Sequence, residues 1–276
     1  MRFPTVLVVG AGQMGAGIAQ VVAASGRSVV LYDAVPGAVD RGLATIERSL
    51  ERLHAKGGPD PVAVLGRIRI EGGIAPADLM IEAIVEDLAA KREIFVEADR
   101  VLPSAAVLAS NTSSIPIGEL ATATTRPGQV IGMHFFNPVP VLRLVEVIRA
   151  RQTTDETAAA IVALAEDLGK VPAEARDSPG FVSNRILMPF INEAAYALLE
   201  GVAEPEAIDT IATLGFAHPI GPLALADLIG LDTCVAIMEV LHDGLGDAKY
   251  APCPLLRDKV AAGHLGRKSG QGFYTY

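Results

Sequence analysis

The feature that most constrains this chain is a glycine-rich turn set between an apolar run and a helical stretch. Val6-Leu-Val-Val9 is short, apolar and β-branched, the pattern of a strand buried on both faces. Gly10-Ala-Gly12-Gln-Met-Gly15 follows, then a helical stretch from Ala16 to Ala24 that Gly26 stops. Ser28-Val-Val-Leu-Tyr-Asp33 reads as a second strand. Strand, helix and strand within about thirty residues make a βαβ unit with parallel strands. Gly10 permits the tight turn, Gly12 lets a pyrophosphate approach the backbone, and Gly15 lets helix and strand pack closely. The helix N-terminus adds partial positive charge and free N–H groups. Asp33 at the end of the second strand accepts hydrogen bonds from ribose hydroxyls and repels a 2′-phosphate. The expected cofactor is therefore NAD and not NADP; the alternative is a glycine turn that binds nothing.

Between Arg2 and Arg27 there is no charged residue, which on hydropathy alone suggests a signal peptide or membrane span. Four glycines (Gly10, Gly12, Gly15, Gly17) and two glutamines (Gln13, Gln20) interrupt it where a strand turns into a helix. A buried strand–turn–helix has no need of charge, so a soluble chain without membrane association is expected. The net charge of −9, from 23 Lys and Arg against 32 Asp and Glu, excludes a polyanionic duplex as partner. An anionic ligand must instead be met locally. Cys234 and Cys253 are too few for a disulfide scaffold and lack metal-ligand spacing. They read as small buried hydrophobes of a reducing compartment, so a cytoplasmic protein with no metal site is expected.

The alternation continues. Strands are expected at Leu79–Ile84, Ala106–Ser110, Gln129–Phe136 and Leu144–Arg149. Helices are expected at Thr45–Ala55, Leu88–Val101 and Asp155–Leu168, with Gly169 capping the last. This predicts an α/β fold, a Rossmann-type doubly wound sheet over residues 1–178. From Phe181 onward apolar residues recur at helical spacing: Ile186, Leu187, Ile191, Ala195 and Leu198, then Ile208, Ile211 and Leu214, then the apolar stretch Leu225–Leu241. Residues 179–276 are therefore expected to form an all-α domain, whose apolar excess calls for a partner subunit.

In an open α/β sheet, ligands bind beyond the carboxyl ends of the strands. Two polar segments fall there, Ser110-Asn111-Thr112-Ser113-Ser114 and His134-Phe-Phe-Asn137-Pro138. Within Leu144-Val-Glu146-Val-Ile148, strand alternation sets Glu146 in an apolar row, where a lone carboxylate is costly. His134 is its nearest suitable partner along the chain. A His–Glu pair beside a nicotinamide site suggests a general base, with the carboxylate orienting the imidazole. The alternative is a hydrogen-bonded core histidine beside a structural glutamate.

These motifs together resemble the short-chain L-3-hydroxyacyl-CoA dehydrogenases, in particular the bacterial 3-hydroxybutyryl-CoA dehydrogenase branch. The resemblance runs nearly end to end: Gly10 to Gln20, Glu82-Ala-Ile-Val-Glu86 with Lys91, Ser110 to Ser114, His134 to Pro140 and Leu144 to Val147. It continues through Asp177 to Arg185, Gly230-Leu-Asp-Thr233 and Gly270 to Tyr274. It implies His134 as catalytic base with Glu146 as its partner, Ser113 holding the substrate's 3-oxygen, and Asn184 completing the active site. It implies cofactor contacts from Gly10, Gln13, Met14, Asp33, Glu86, Lys91, Asn111, Asn137 and Lys268. The implied reaction is reversible oxidation of an (S)-3-hydroxyacyl-CoA by NAD, in a homodimer whose helical domain closes the cleft.

Coenzyme A brings phosphate charge. Arg48, Arg52 and Lys56 recur every fourth residue and would share a helix face, with Ser49 adjacent. The resemblance implies Ser49 and Lys56 as the acyl-CoA contacts. The lysine cluster is sparser here than in the family, which leaves open a hydroxyacyl group tethered to an acyl carrier protein, since an acidic carrier would also favour a basic helix. A non-catalytic NAD-binding protein is a third reading, disfavoured by the joint presence of Ser113, His134, Glu146 and Asn184.

Overall fold

The computed structural model describes residues 2–276. They form two compact units, one ending at Ser178 and one beginning at Pro179.

The first unit is built on strands β1 (Thr5–Val9), β2 (Ser28–Tyr32), β3 (Ile68–Ile70), β4 (Leu79–Glu82), β5 (Val107–Ser110), β6 (Val130–Phe135), β7 (Leu144–Arg149) and β8 (Val171–Arg176). They make one sheet in the order β3-β2-β1-β4-β5-β6-β7-β8. Every neighbouring pair is parallel except β6 and β7. Its helices are α1 (Gln13–Ala24), α2 (Ala38–His54), α3 (Pro61–Leu65), α4 (Leu88–Val101), α5 (Ile117–Ala121) and α6 (Asp155–Asp167). They cover both faces of the sheet, so the doubly wound architecture holds. This is why β1, β4 and β5 read as continuous apolar runs: they are almost entirely buried.

The uncharged N-terminal stretch is accounted for by packing. In α1, residues Gly15 to Gln20 are all buried. Gly10 has φ +103, and a Cβ there would sit 2.4 Å from the Ala83 carbonyl oxygen at the end of β4. A Cβ on Gly15 would lie 1.9 Å from the Gly10 oxygen, whereas one on Gly12 would meet nothing within 4 Å. Among the described residues no helix is long and apolar enough to cross a membrane.

The strand order reverses at β1: the chain passes to β2 and β3 on one side and to β4, β5 and β6 on the other. The crevice beyond the carboxyl ends of β1 and β4 is the binding position such a sheet offers. Two strands were not expected from sequence. β3 is three residues long, and β8 (VPAEAR) is a half-exposed edge strand without an apolar run. Helix α2 begins at Ala38, seven residues before the expected Thr45, and ends at His54. Helix α6 begins with Thr154 as N-cap and ends one residue before Leu168, with Gly169 left-handed beyond it (φ +72).

The second unit consists of α7 (Ser183–Leu199), α8 (Pro205–Thr210), α9 (Pro222–Ile229), α10 (Leu231–Leu245) and α11 (Pro254–Ala261). Gly230, at φ +104, divides the apolar stretch Leu225–Leu241 between α9 and α10. Its core gathers Met188, Ile191, Ala195, Ala226, Leu231, Cys234, Met238 and Leu241. Burial pushes the Cys234 thiol up to about 12, with Asp232 and Asp227 adding to the effect, so it is an inert apolar group at neutral pH. The expected stripe Ile208–Ile211–Leu214 does not line this core: Ile211 and Leu214 are exposed, as are Ile186, Val202 and Phe216.

Candidate active site

Antiparallel pairing of β6 and β7 sets His134 directly opposite Glu146. Both side chains are nearly buried, and His134 Nδ1 lies 2.9 Å from Glu146 Oε2. A carboxylate can only accept, so the proton of a neutral imidazole belongs on Nδ1 and the Nε2 lone pair is left available. Nε2 lies 3.2 Å from Ser113 Oγ. The ring of Phe136 stands beside the imidazole at 4.7 Å between centroids. Three segments of unrelated sequence thus converge: the loop after β5, the end of β6 and the middle of β7.

The Ser113 loop is held by Glu86. Its Oε1 accepts from the backbone N–H groups of Ser113 (2.8 Å) and Ser114 (2.9 Å) and from the hydroxyls of Thr112 (2.6 Å) and Ser114 (2.9 Å). Burial pushes the Glu86 carboxyl up. Lys91 and the bonds from Thr112, Ser114 and Ser113 more than offset this and hold it below the ordinary glutamate range. Asn111 ties the same loop to β6, its side-chain oxygen accepting from Phe135 N at 2.8 Å.

At the glycine turn, Asp33 Oδ2 accepts from Ala11 N at 2.7 Å and Oδ1 from Val35 N at 2.8 Å. Each oxygen keeps lone-pair capacity for a further donor. Gly12, Gln13 and Asp33 line one cleft together with Val35, from the loop before α2, and Arg41 and Thr45 on α2. The open space at Gly12, the α1 N-terminus and this carboxylate fit a dinucleotide: phosphate at the helix end, ribose at Asp33.

An adjoining cleft between α1, α2 and the loop after β6 is lined by Gln13, Gln20, Ser49, Arg52, Asn137 and Pro140, among others. Sequence spacing had placed Arg48, Arg52 and Lys56 on one helix face. The helix stops at His54, so Lys56 lies in the following turn, exposed and outside this lining, whereas Arg52 is part of it. Of the three basic residues that spacing puts on that face, Arg52 is the one in this lining. Of the remaining expected site residues, Met14 lies in the first turn of α1, packed against the sheet core. Asn184 and Lys268 belong to the second unit. Asn184 is buried in the first turn of α7, and Lys268 is ion-paired to Asp232, with Nζ to Oδ2 at 2.7 Å. Among the described residues no cluster of His, Cys, Asp or Glu could hold a metal ion.

A doubly wound dinucleotide sheet with a His–Glu pair across β6 and β7, joined to a helical unit, defines a two-domain NAD-dependent dehydrogenase. Residues 5–178 match the 3-hydroxyacyl-CoA dehydrogenase NAD binding domain, and residues 180–276 match that family's C-terminal domain. The chain belongs to the 3-hydroxyacyl-CoA dehydrogenase family. It is 59% identical over 274 residues to a probable 3-hydroxybutyryl-CoA dehydrogenase of Deinococcus radiodurans, covering 98% of this chain and 99% of that one. It is 51% identical over 275 residues to the 3-hydroxybutyryl-CoA dehydrogenase of Bradyrhizobium diazoefficiens, covering 98% and 94%. The crystal structure of (S)-3-hydroxybutyryl-CoA dehydrogenase from Ralstonia eutropha superposes with a TM-score of 0.95 at 49% identity, over 99% of both chains. The protein is an NAD-dependent oxidoreductase that acts on 3-hydroxyacyl-CoA.

Proposed function

We propose that the substrate is a short (S)-3-hydroxyacyl-CoA, 3-hydroxybutyryl-CoA foremost, and that Ser113, His134 and Glu146 perform its reversible oxidation to the 3-oxoacyl-CoA. The observation that carries this is the unbroken line from Glu146 Oε2 through the imidazole to Ser113 Oγ, with steps of 2.9 and 3.2 Å. A substrate hydroxyl set between Ser113 Oγ and His134 Nε2 donates its proton to Nε2, while Ser113 fixes the oxygen. Glu146 stabilises the imidazolium that results and prevents the ring from rotating away. NAD, when bound, would accept the hydride from the C–H bond of the carbon that bears this hydroxyl, leaving the 3-oxo group. In the reverse direction His134 returns the proton to the developing alkoxide.

The chain-length reading is supported by the relatives, whose names specify hydroxybutyryl substrates. Ser49 and Arg52 on α2 face the anionic end of the thioester in this reading, with Lys56 in an outlying role. By the family resemblance, Asn184 is assigned to the substrate and Lys268 to the cofactor. The exposed Ile186, Val202, Ile211, Leu214 and Phe216 supply the apolar surface of a homodimer. Two buried free cysteines suit a cytoplasmic protein.

Absorbance of the reduced nicotinamide with purified protein and acetoacetyl-CoA tests this directly, with the same acyl group on an acyl carrier protein as comparison. Rapid consumption of NADH with the CoA ester is expected. Turnover confined to the carrier-bound group would reassign the basic end of α2 as a carrier-docking surface.

A further inference from the structure

Lys170 is 7% exposed and has no part in the chemistry proposed above. It lies just beyond the end of α6, after the left-handed Gly169, and its backbone N–H donates to the Ala165 oxygen at 2.9 Å. Among the described residues no carboxylate pairs with its ammonium. Nζ donates instead to two backbone oxygens of the loop after β6, those of Val139 and, at 2.8 Å, Leu142. The next residue extends the grip, with Val171 N donating to the Arg143 oxygen at 2.8 Å. A charge buried without a counter-charge is costly, and burial holds this ammonium below the ordinary lysine range.

The loop over residues 136–143 has a use for such a donor. Pro138 and Pro140 have no N–H to give, and the N–H groups of Val141 and Leu142 both go to the Pro138 oxygen, at 3.0 and 2.9 Å. That leaves the loop short of donors for its own carbonyls, and Val139 is 1% exposed, so water does not serve it. The loop is also pressed against α1: a Cβ on Gly17 would come within 2.9 Å of the Val139 Cβ. Placed in this way, Asn137, Pro138, Val139 and Pro140 line the cleft that contains Ser49 and Arg52 of α2. The loop joins the strand of His134 to the strand of Glu146, but that pair is set by the register of β6 and β7.

We propose that Lys170 is a positioning residue for acyl-CoA binding: its buried ammonium supplies the donors that the proline-containing loop lacks, and so fixes that loop as the wall of the cleft it shares with Ser49 and Arg52. This rests on the reading of that cleft as the place of the anionic end of the thioester. Lys170 acts through the loop and touches neither substrate nor cofactor in this role.

The test compares Lys170→Met, which removes the donors, with Lys170→Gln, which keeps two N–H donors without the charge, both at saturating NADH. Lys170→Met should raise the KM for acetoacetyl-CoA about fivefold, within the range that loss of one hydrogen bond spans, and Lys170→Gln should raise it less. In both, kcat should stay within about threefold of the parent, because strand register keeps His134 and Glu146 paired. Hydrogen exchange at the Val141 and Leu142 amides should quicken in Lys170→Met while exchange in β6 and β7 holds; a general loss of stability would quicken all of them together. If Lys170→Met does not fold, Lys170→Gln carries both readouts, with a smaller rise in KM. Exchange that quickens uniformly, or not at all, would overturn the proposal. Arg52→Glu run alongside separates the two readings. A KM raised by that variant and by neither Lys170 variant overturns the role of Lys170. A KM that none of the three moves overturns the acyl-CoA reading of the cleft, and the proposal with it.

Discussion

His134 and Glu146 occupy opposing positions on the antiparallel pair β6–β7, so the register of the sheet itself sets their 2.9 Å contact. A general base needs an imidazole whose tautomer and orientation are fixed before substrate arrives. Strand pairing achieves this without any flexible segment, because two neighbouring strands cannot shift register without moving every side chain to the other face.

Glu146→Gln keeps the shape of the pair and removes its charge. We expect kcat to fall about 10²-fold, less than on loss of the imidazole, since the ring can still accept a proton. A kcat equal to the parent's would show that Glu146 does not serve His134.

At the proposed ribose end, Asp33→Ala removes the carboxylate proposed to discriminate between the two nicotinamide cofactors. NAD affinity should fall about tenfold or more, as for loss of a charge-assisted hydrogen bond, while NADP affinity should hold or improve. Isothermal titration with both cofactors checks this, and equal weakening of both would remove Asp33 from the ribose.

Arg52 lines the cleft beside Ser49, whereas Lys56 lies beyond the end of α2. Arg52→Glu should therefore raise the KM for the acyl-CoA several-fold more than Lys56→Glu, with the KM for NAD unaffected by either. The effect should shrink as ionic strength rises, because exposed charges are screened over about 8–10 Å. Equal effects of the two variants would return the helix to the status of an ordinary solvated face.

Glu86 gives a pH signature. Its carboxyl is held below the ordinary range in the folded chain, so its contribution to stability is fully present above that range and is lost as pH falls through the lower, native value. Glu86→Gln should be less stable than the parent near neutrality and should show a flatter loss of stability below about pH 5. Urea unfolding midpoints measured from neutral to acid pH check the sign. A parallel shift of the whole curve would mean that the charge on Glu86 has no role in holding the Ser113 loop.

Much of this architecture is legible in the sequence because its decisive steps are local. The glycine turn, the uncharged helix α1 and Asp33 fall within one βαβ unit, where residue type, spacing and backbone conformation say the same thing. The pairing of His134 with Glu146 was legible for a different reason: a carboxylate in an apolar strand demands a partner. β8 was illegible because an edge strand half open to solvent needs no apolar alternation, and VPAEAR carries none. Lys56 falls outside the helix face that its spacing suggested, because helical spacing was carried past the residue where the helix ends. Lys91 gave no signal of its burial, although Glu82, in an apolar strand, called for a partner. Charged residues nine positions apart look like any surface pair until the end of β4 and the first turns of α4 fold onto each other.

The most direct test of the central claim is to measure turnover and cofactor binding together in His134→Gln, using acetoacetyl-CoA and NADH. If His134 is the base, kcat falls about 10³-fold, within the range expected for loss of a general acid–base catalyst, and the NADH dissociation constant stays at the parent value. If NADH binding weakens in proportion to the rate, His134 is a structural residue of the β6–β7 pair and the proton is carried by another group.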